Sequence, residues 1–378
     1  MLRMRLAIGV IGLLTMTATQ AGGWRVGDPT LIDAAGRRPS LWSGTVAYTL
    51  GTGGHLYLFD GTGSAAVYTD GNCYEPRNVN GAIAWRDFNE TTSVNDIFQW
   101  DGIDTDNVSQ SPVVDSDVTA GSNGDVMWSR NHQSLWYYTA ATDTAADLGI
   151  PGVHPCLYIA EGGVATYAYQ DPDTNVVKYF DGTTTHDLGP GTIFGAFPTV
   201  WDGAVVWVGE GVGAFFAATE LFYWKDGTTI RITDDDAAGG FEDRSPSFWN
   251  GVLVWTRYPG DAFAPKLYVW DGVVMEEISA TGGGYPSLHE WQVAWVDVDG
   301  LVTAPLHLNG DLNCDGIVDF DDIDPFVAAL SCQGGELDCW DTICPWANAD
   351  CNCDNTVNFD DIDPFVAVLS TGDSSCRD

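Results

Sequence analysis

Prolines recur at nearly even spacing through most of the chain, and this repeat restricts the possible fold more than any other feature. They stand at positions 39, 76, 112, 155, 198, 246 and 286, which are 36 to 48 residues apart. A period near 40 residues indicates a repeat architecture, in which each unit buries its apolar face against the next unit. The sequence therefore predicts a repeat domain that covers most of its length.

Two short phrases recur within this period and define the strands of each unit. The first phrase runs from the proline to an aromatic residue and is clearest at residues 246–255. The second phrase is rich in aromatic residues and ends in Asp-Gly, for example at Asp60-Gly61 and Asp271-Gly272. Glycine accepts the positive φ of a two-residue hairpin turn, so each Asp-Gly pair predicts a turn between two strands. Together the phrases predict four short strands per unit.

Two units depart from this pattern. The third inserts residues before Trp128, and the fourth has Thr166 where the aromatic residue belongs. The aromatic residues at the other equivalent positions, such as Trp85, Trp207 and Trp255, are expected to pack in the core between units rather than to contact a ligand.

Units of four short strands are typical of the blades of a β-propeller. The last unit has its third strand at residues 301–308 but lacks a fourth strand, which Thr30–Asp33 can supply. Pairing the N-terminus with the last blade would remove both exposed sheet edges. We predict a mainly β fold with a seven-bladed propeller at residues 24–308, with six blades as the alternative. The repeats resemble the TolB-like and WD-like propeller families.

Two twelve-residue acidic segments near the C-terminus share one pattern of oxygen-bearing residues. Side-chain oxygens stand at the first, third, fifth, ninth and twelfth positions, and a backbone carbonyl is available at the seventh. A short loop with these ligands can surround a seven-coordinate hard cation, so the pattern predicts two Ca²⁺ ions. The expected ligands are Asp311, Asn313, Asp315, Ile317, Asp319 and Asp322 in the first loop, and Asp350, Asn352, Asp354, Thr356, Asn358 and Asp361 in the second.

The two loops differ at the sixth position, where a calcium loop turns sharply. Gly316 occupies it in the first loop and Asn355 in the second. Asn tolerates the left-handed conformation best after Gly, so we expect somewhat weaker binding at the second site. Both loops end in Asp rather than the longer Glu of most helix-loop-helix sensors, which disfavours a cytosolic calcium switch. Two solvated acidic loops without a metal are the alternative, but five matched ligand positions at a 39-residue offset disfavour it.

The residues that follow the two loops are identical at 320–328 and 359–367, and they predict two short helices. Asp324 and Asp363 are acids that the dipole favours at a helix N-terminus. Pro325 and Pro364 fit the first turn, where no backbone N–H is needed.

The duplicated loop-helix unit at residues 309–378 resembles the type I dockerin module. The resemblance implies calcium-dependent docking to a cohesin domain on a partner protein. It places partner recognition near Phe320, Asp321, Phe359 and Asp360, where dockerins commonly carry small hydroxyl residues. The duplication also implies that the module can bind in two orientations.

The N-terminus predicts a secretory signal peptide at residues 1–21. Arg3 and Arg5 precede an apolar run from Leu6 to about Ala18, and Thr19-Gln20-Ala21 provides a cleavage site. The run is too short to span a bilayer comfortably, and no later stretch reaches about 18 uninterrupted apolar residues. We therefore expect a secreted protein, extracellular or at the cell surface, without membrane insertion.

Seven of the nine cysteines lie in the C-terminal module, at positions 314, 332, 339, 344, 351, 353 and 376. A small exported module buries little core, so these cysteines are expected to form disulfides. Zinc is the alternative for the pairs at 339 and 344 and at 351 and 353, although their spacing is not that of a zinc knuckle. The odd number leaves one thiol unpaired or bonded elsewhere, and the connectivity stays open.

The formal net charge of −38 disfavours several classes of partner. Phosphate backbones and anionic membranes would be repelled, so nucleic acid is excluded as a likely partner class. We expect a monomer.

The irregular loops of the propeller are expected to share one face, opposite the tight Asp-Gly turns. Aromatic, acidic and arginine side chains on such loops could stack against a sugar and bond its hydroxyls. These loops cover residues 86–89, 129–132, 169–173, 210, 215–216, 234–236, 241–244 and 257–258. No catalytic residue is assigned, because 53 acidic residues offer no preferred pair and the histidines at 55, 132, 154, 186, 289 and 307 have no metal spacing.

Three functions are consistent with these patterns. The first is a secreted calcium-binding protein whose propeller binds a glycan or a protein and whose dockerin-like module docks to a partner such as a cohesin. The second is a polysaccharide-degrading enzyme, a glycoside hydrolase or lyase, that carries a dockerin; this rests on analogy between folds. The third is a non-docking calcium module that acts as a structural cap.

Overall fold

The structure is a computed structural model that describes the chain from residue 24 to residue 371 with short gaps. The described residues are 24–27, 29–50, 54–160, 162–193, 195–210, 219–234, 241–258, 264–272, 274–279, 282–314, 318–332, 340, 344–352, 354 and 356–371. The expected signal peptide lies outside them, as do Asp315, Gly316, Ile317 and Asn355 of the calcium loops. The described part is mainly β, with two short α-helices near the C-terminus.

The strands pair antiparallel and form successive four-stranded units. Two short strands come first, β1 (Trp24–Val26) and β2 (Thr30–Asp33). A seven-stranded sheet follows, with β3 (Gly36–Trp42), β4 (Thr45–Leu50), β5 (Gly54–Phe59), β6 (Ser64–Val79), β7 (Ala82–Asn89), β8 (Val94–Trp100) and β9 (Thr105–Asn107). The first part of β6 pairs with β5 and its last part with β7, so this sheet contains two consecutive units.

Four sheets of four strands each come next. The first two contain β10 (Asp115–Ala120), β11 (Val126–Arg130), β12 (Ser134–Thr139) and β13 (Thr144–Pro151), then β14 (Val153–Ile159), β15 (Ala165–Gln170), β16 (Val176–Phe180) and β17 (Thr185–Pro190). The other two contain β18 (Thr199–Trp201), β19 (Ala204–Glu210), β20 (Thr219–Lys225) and β21 (Thr228–Arg231), then β22 (Glu242–Trp249), β23 (Val252–Tyr258), β24 (Lys266–Trp270) and β25 (Met275–Glu277).

The last sheet joins the two ends of the repeat domain. It contains β26 (Gly284–His289), β27 (Gln292–Asp297) and β28 (Gly300–Leu308). The N-terminal strands β1 and β2 both pair with β28, with Trp24 opposite Leu308 and Thr30 opposite Thr303. This pairing confirms the closure expected at Thr30–Asp33.

The first strands of the units lie beside one another in a closed cycle, in the order β3, β6, β10, β14, β18, β22, β26 and back to β3. This is the arrangement of a β-propeller, in which the first strand of each unit is innermost.

The serine that follows several repeat prolines forms a hydrogen bond between neighbouring first strands. The Ser287 hydroxyl oxygen accepts a hydrogen bond of 2.8 Å from the Leu41 backbone N–H, across the junction between the last unit and the first. The same bond joins Ser40 to the Asn78 N–H and Ser247 to the Leu288 N–H. A hydroxyl directly after the proline therefore satisfies a backbone donor of the next unit, which gives the repeated serine a physical reason.

The repeated aromatic residues of the second strands form the core between units. Trp85, Trp128, Trp207, Trp255, Trp295 and Tyr48 are among the largest fully buried side chains. This confirms the core role predicted for Trp85, Trp207 and Trp255. The prediction that Thr166 replaces the aromatic residue of the fourth unit is wrong. Tyr167 occupies that position, because it lies opposite Phe180 and packs against its ring, as Trp207 lies opposite Phe222.

Each unit has one non-glycine residue with left-handed backbone directly before the repeat proline or its equivalent. It lies on the first strand in six units, and in the fifth unit Phe197 precedes β18. In most units a register shift marks the same point, so it is a β-bulge. In the third unit the residue is Asp117, which means that Pro112 precedes the strand and does not open the unit as its spacing suggested. We call these seven residues the bulge ring: Arg38, Glu75, Asp117, His154, Phe197, Ser245 and Tyr285.

The C-terminal module contains two equivalent helices, α1 (Ile323–Ser331) and α2 (Ile362–Thr371). A 3-10 turn precedes each helix, at Phe320–Asp322 and Phe359–Asp361. The two short helices predicted after the loops are therefore confirmed, with Pro325 and Pro364 in their first turns as expected.

The symmetric halves of the module meet at two phenylalanines and share a core with the closing sheet. The rings of Phe326 and Phe365 stack with centroids 4.0 Å apart. One apolar cluster connects them to Leu308 of β28 and Trp24 of β1. The module therefore packs on the propeller. Within the described part, no helix is long and apolar enough to cross a membrane.

Candidate functional site

The duplicated acidic loops fold alike where the structure describes them. The carboxylate of Asp322 accepts hydrogen bonds from the backbone N–H groups of Asn313 at 3.0 Å and Asp319 at 2.9 Å. In the second loop, Asp361 accepts from Asn352 at 3.0 Å and from the Asn358 N–H at 2.8 Å. The twelfth-position acid thus fixes the third and ninth positions of its loop in both copies.

The ninth-position residues cap the turns that follow. The Asp319 side chain accepts from the Asp321 N–H at 2.8 Å, and Asn358 accepts from the Asp360 N–H at 2.6 Å. Each forms a capping box with the twelfth-position acid.

In the second loop the oxygens of the first two expected side-chain ligands accept from the same backbone N–H. Asp350 Oδ1 and Asn352 Oδ1 both accept from the Asp354 backbone N–H, at 3.1 and 3.0 Å. Asp354 Oδ1 in turn accepts from the Thr356 N–H at 2.8 Å. Thr356 itself is expected to offer its carbonyl. Every one of these groups presents oxygen, which is the donor that Ca²⁺ prefers.

The expected ligands also include four buried carboxylates in a small module. Asp311, Asp322, Asp350 and Asp361 are each at most 2% exposed. Burial raises the pKa of Asp361. Ionised carboxylates are buried only where a cation or hydrogen bonds compensate them, so these residues fit a divalent cation in each loop. A carboxylate oxygen that accepts one backbone hydrogen bond keeps a second lone pair for such an ion.

The described residues do not contain a preformed cluster of three His, Cys, Asp or Glu ligands. Asn side chains and a backbone carbonyl complete the expected ligand sets, and Asp315 and Ile317 lie outside the described residues. The described part of the first loop places Asp311, Asn313, Asp319 and Asp322, and the second loop places all six expected ligands.

The second loop has a partner that sequence reasoning missed. Arg25 Nη2, on β1, lies 2.9 Å from Asp350 Oδ2 and 3.4 Å from the Asp350 and Ala347 carbonyl oxygens. The side chain of Asp350 is 3% exposed, so this is a largely buried ion pair. No local pattern could have found it, because the two residues are 325 positions apart.

One disulfide, Cys314–Cys344, holds the first loop. Cys332 is disulfide-bonded as well. These bonds confirm the prediction that cysteines of the module form disulfides. Cys73 and Cys156 of the propeller have no disulfide.

The predicted recognition residues lie on the surface. Phe320 is 79% exposed and Phe359 is 76% exposed, and Asp321 and Asp360 beside them are also exposed. Further apolar residues follow one and two turns later on each helix and are exposed too: Ile323 and Val327 on α1, and Ile362 and Val366 on α2. The module therefore presents two equivalent apolar faces.

The charged loop residues of the propeller mostly stabilise their own blades. Arg130 forms a two-point ion pair with the buried Asp115, and Arg257 does the same with the buried Asp243. Asp87 is 1% exposed and accepts from the Asn72 and Phe88 N–H groups, and burial raises its pKa. These residues are held inside the sheet edges and are not free to bind a ligand. Residues 215–216 and 235–236 of the predicted loop face lie outside the described residues.

Comparisons with known proteins support the fold and leave the function open. No protein-family model matches the chain, and no curated protein matches it. The β-propeller domain of the Trilobed protease from Pyrococcus furiosus is similar in structure, with a TM-score of 0.55 and 12% identity over 74% of this chain and 93% of that chain.

Two further solved structures are more distant. TolB from Acinetobacter baumannii has a TM-score of 0.43 and 14% identity over 70% of this chain and 64% of its own. An oligogalacturonate lyase in complex with manganese has a TM-score of 0.49 and 12% identity over 75% of this chain and 98% of its own. At such low identity, the similarity to the Trilobed protease domain concerns the β-propeller fold alone.

Proposed function

We propose that this chain is a secreted calcium-binding protein with a ligand-binding propeller and a dockerin-like docking module. The propeller binds a glycan or a protein, and the module binds two Ca²⁺ ions and docks to a partner such as a cohesin domain. The supporting observation is the pair of matched loops, in which the first- and twelfth-position carboxylates are buried, the twelfth accepts from backbone N–H groups of its own loop, and an exposed Phe-Asp pair precedes each helix.

The propeller is proposed to have seven blades. This count divides the seven-stranded sheet at β6, whose two parts pair with different neighbours. It also assigns one inner strand to each blade in the cycle that begins and ends at β3.

Calcium binding to the module would supply the charge that the buried carboxylates need. Asp350 and Asp311 would contribute the first ligand of each loop, and Asp361 and Asp322 the last. The ordered loops would then hold the helices that follow, and with them the exposed faces that begin at Phe320 and Phe359.

A second function, a non-docking structural cap, is favoured by one specific observation. The module shares an apolar cluster with the closing sheet, and Arg25 of β1 binds the second loop. Calcium bound there would stabilise the closure of the ring whether or not a partner exists.

The alternative of a polysaccharide-degrading enzyme has no residue assignment. The buried acids Asp115 and Asp243 are each paired with an arginine, so neither is a candidate acid or base.

Docking is tested with the full mature protein and an immobilised cohesin domain, with calcium and with EDTA. Wild type is expected to bind only with calcium. Phe320→Lys and Phe359→Lys should each retain binding through the other orientation, and the double substitution should lose it. Phe88→Lys, at an exposed phenylalanine of the propeller, is the matched control. Absence of calcium-dependent capture, with calcium binding intact, would favour the structural cap.

A further inference from the structure

The bulge ring offers a binding site on the propeller. We propose that it binds the end of a neutral saccharide chain at the mouth of the channel between the first strands. This inference rests on the proposed function that the propeller binds a glycan or a protein, and it names the position and the ligand class.

Contacts between members of the ring place them around one opening. Arg38 Nη1 lies 3.4 Å from Glu75 Oε1, although the two residues belong to successive units. His154 Nδ1 lies 3.1 Å from Asp117 Oδ1, and the His154 ring packs on Phe197 with centroids 4.6 Å apart. Since the first strands form a closed cycle, residues that meet at equivalent positions on them line the channel mouth.

The backbone at these positions is left-handed, which is unfavourable for residues that carry a side chain. A left-handed conformation costs a residue with a Cβ roughly 1–2 kcal/mol, whereas glycine adopts it readily. None of the seven positions holds glycine, and every one holds a charged, imidazole, hydroxyl or aromatic group. Strained positions with functional side chains are a feature of binding sites.

The ring has a charged side and an aromatic side. Arg38 with Glu75, and Asp117 with His154, form two mutually compensated pairs. Opposite them in chain order, Phe197 and Tyr285 are each 50% exposed.

A neutral sugar satisfies both sides of the ring. Its apolar face can stack on the exposed rings, and its hydroxyls can accept from arginine and histidine and donate to the carboxylates. An apolar peptide would desolvate the charge pairs without replacing their bonds. An anion would meet Glu75, Asp117 and a net charge of −38, which disfavours an acidic chain.

Another concave region fits a sugar less well. A cleft of about 420 Å³ on the opposite face is lined in part by Tyr179, His186 and Trp224. Tyr179 is 3% exposed and Trp224 is 8% exposed, so neither presents a face on which a sugar ring could stack.

Calorimetry on the mature protein tests the site with defined probes. Cellohexaose, xylohexaose, mannohexaose and laminarihexaose represent neutral chains, and oligogalacturonate represents an acidic chain. At least one neutral chain is expected to bind, and Phe197→Ala and Tyr285→Ala should each weaken its Kd at least tenfold. Ile103→Ala, at an exposed apolar residue that follows the Asp101-Gly102 turn outside the ring, should leave the Kd within twofold.

Tyr285→Gly separates a binding role from a structural one. Glycine readily adopts the backbone conformation of this position. The Tm of the variant should therefore equal or exceed that of wild type, while saccharide binding is lost. A lowered Tm with unchanged binding would overturn the inference.

Two other outcomes would also overturn it. If a neutral chain binds and the ring variants bind equally well, the propeller still binds a glycan but at another place. If only oligogalacturonate binds, or no chain binds, the neutral-saccharide site is wrong, while calcium binding by the module is judged by its own titration.

Discussion

The two halves of the C-terminal module have the same helices and the same loop hydrogen bonds, yet they are attached to the chain by different interactions. The first loop is held by the Cys314–Cys344 disulfide within the module. The second loop is held by an ion pair between Asp350 and Arg25 of the ring-closing strand. The disulfide does not depend on calcium. The ion pair does, because Asp350 is also an expected calcium ligand. If both loops bind calcium as we propose, we expect the second loop to couple calcium to propeller closure more strongly than the first, because Arg25 of β1 binds its first ligand.

The largest expected effect comes from breaking the covalent anchor. Cys314→Ser opens a loop of 30 residues, for which chain entropy predicts a loss of about 3 to 4 kcal/mol. The free energy of unfolding is measured by denaturant titration. Cys156→Ser, at a propeller thiol without a disulfide, is the control and should cost much less. Equal losses for both variants would show that the disulfide does not anchor the first loop.

We expect acidic pH to lower the stability of the protein near the Arg25–Asp350 ion pair. Burial, and then the nearby Arg25 charge, lowers the pKa of His307 to about 4. The unfolded chain therefore binds a proton that the folded chain excludes, and stability falls as pH drops from about 6.5 to about 4, by about 3 kcal/mol. Thermal melts across this range should show the loss.

The matched variant for this prediction is His307→Gln, which cannot become charged. It should show a smaller loss of Tm between the two pH values, whereas His132→Gln, at an exposed histidine, should behave like wild type. Identical pH profiles for wild type and His307→Gln would contradict the assignment.

Substituting Arg25 tests directly whether its ion pair with Asp350 holds the second loop. Arg25→Ala leaves the buried Asp350 carboxylate without its cation and should cost about 2 kcal/mol in EDTA. Calcium supplies a replacement charge, so the cost should shrink in saturating calcium. Arg37→Ala, at an exposed arginine of the propeller, is the control. A cost that does not depend on calcium would separate Arg25 from the metal site.

The smallest effect concerns the turn of the second loop. Asn355→Gly removes the left-handed penalty expected at this position and should strengthen calcium binding at the second site by about 0.5 to 1 kcal/mol, roughly two- to fivefold. Calorimetry should show the first site unchanged. A weaker second site would mean that Asn355 contributes something other than a turn.

Short-range patterns predicted much of the fold. The period of the prolines, the Asp-Gly turns and the alternating Val and Trp residues gave the strands, the buried aromatic residues and the partner of β28. These features are local, because a hairpin turn and a buried strand face are each specified by a few neighbouring residues. The duplicated helices could be predicted for the same reason, because neighbouring residues specify each of them.

Contacts between distant residues could not be predicted. Arg25 and Asp350 are far apart in sequence, and an acid-rich chain offers many carboxylates to each arginine. The pairing of Arg130 and Arg257 with buried acids removed them from the expected ligand face. The positions of the bulge ring could have been located from the sequence, since six of its seven members directly precede a repeat proline.

Calcium titration of the purified protein, measured by calorimetry and combined with thermal melts, tests the central claim most directly. The account predicts two sites, one lost in Asp315→Ala and the other lost in Asp354→Ala. Asp354→Ala should reduce the calcium-dependent rise in the Tm of the propeller more than Asp315→Ala does. Absence of saturable binding would contradict the calcium assignment, and equal effects of the two variants on the propeller Tm would contradict the coupling through Arg25.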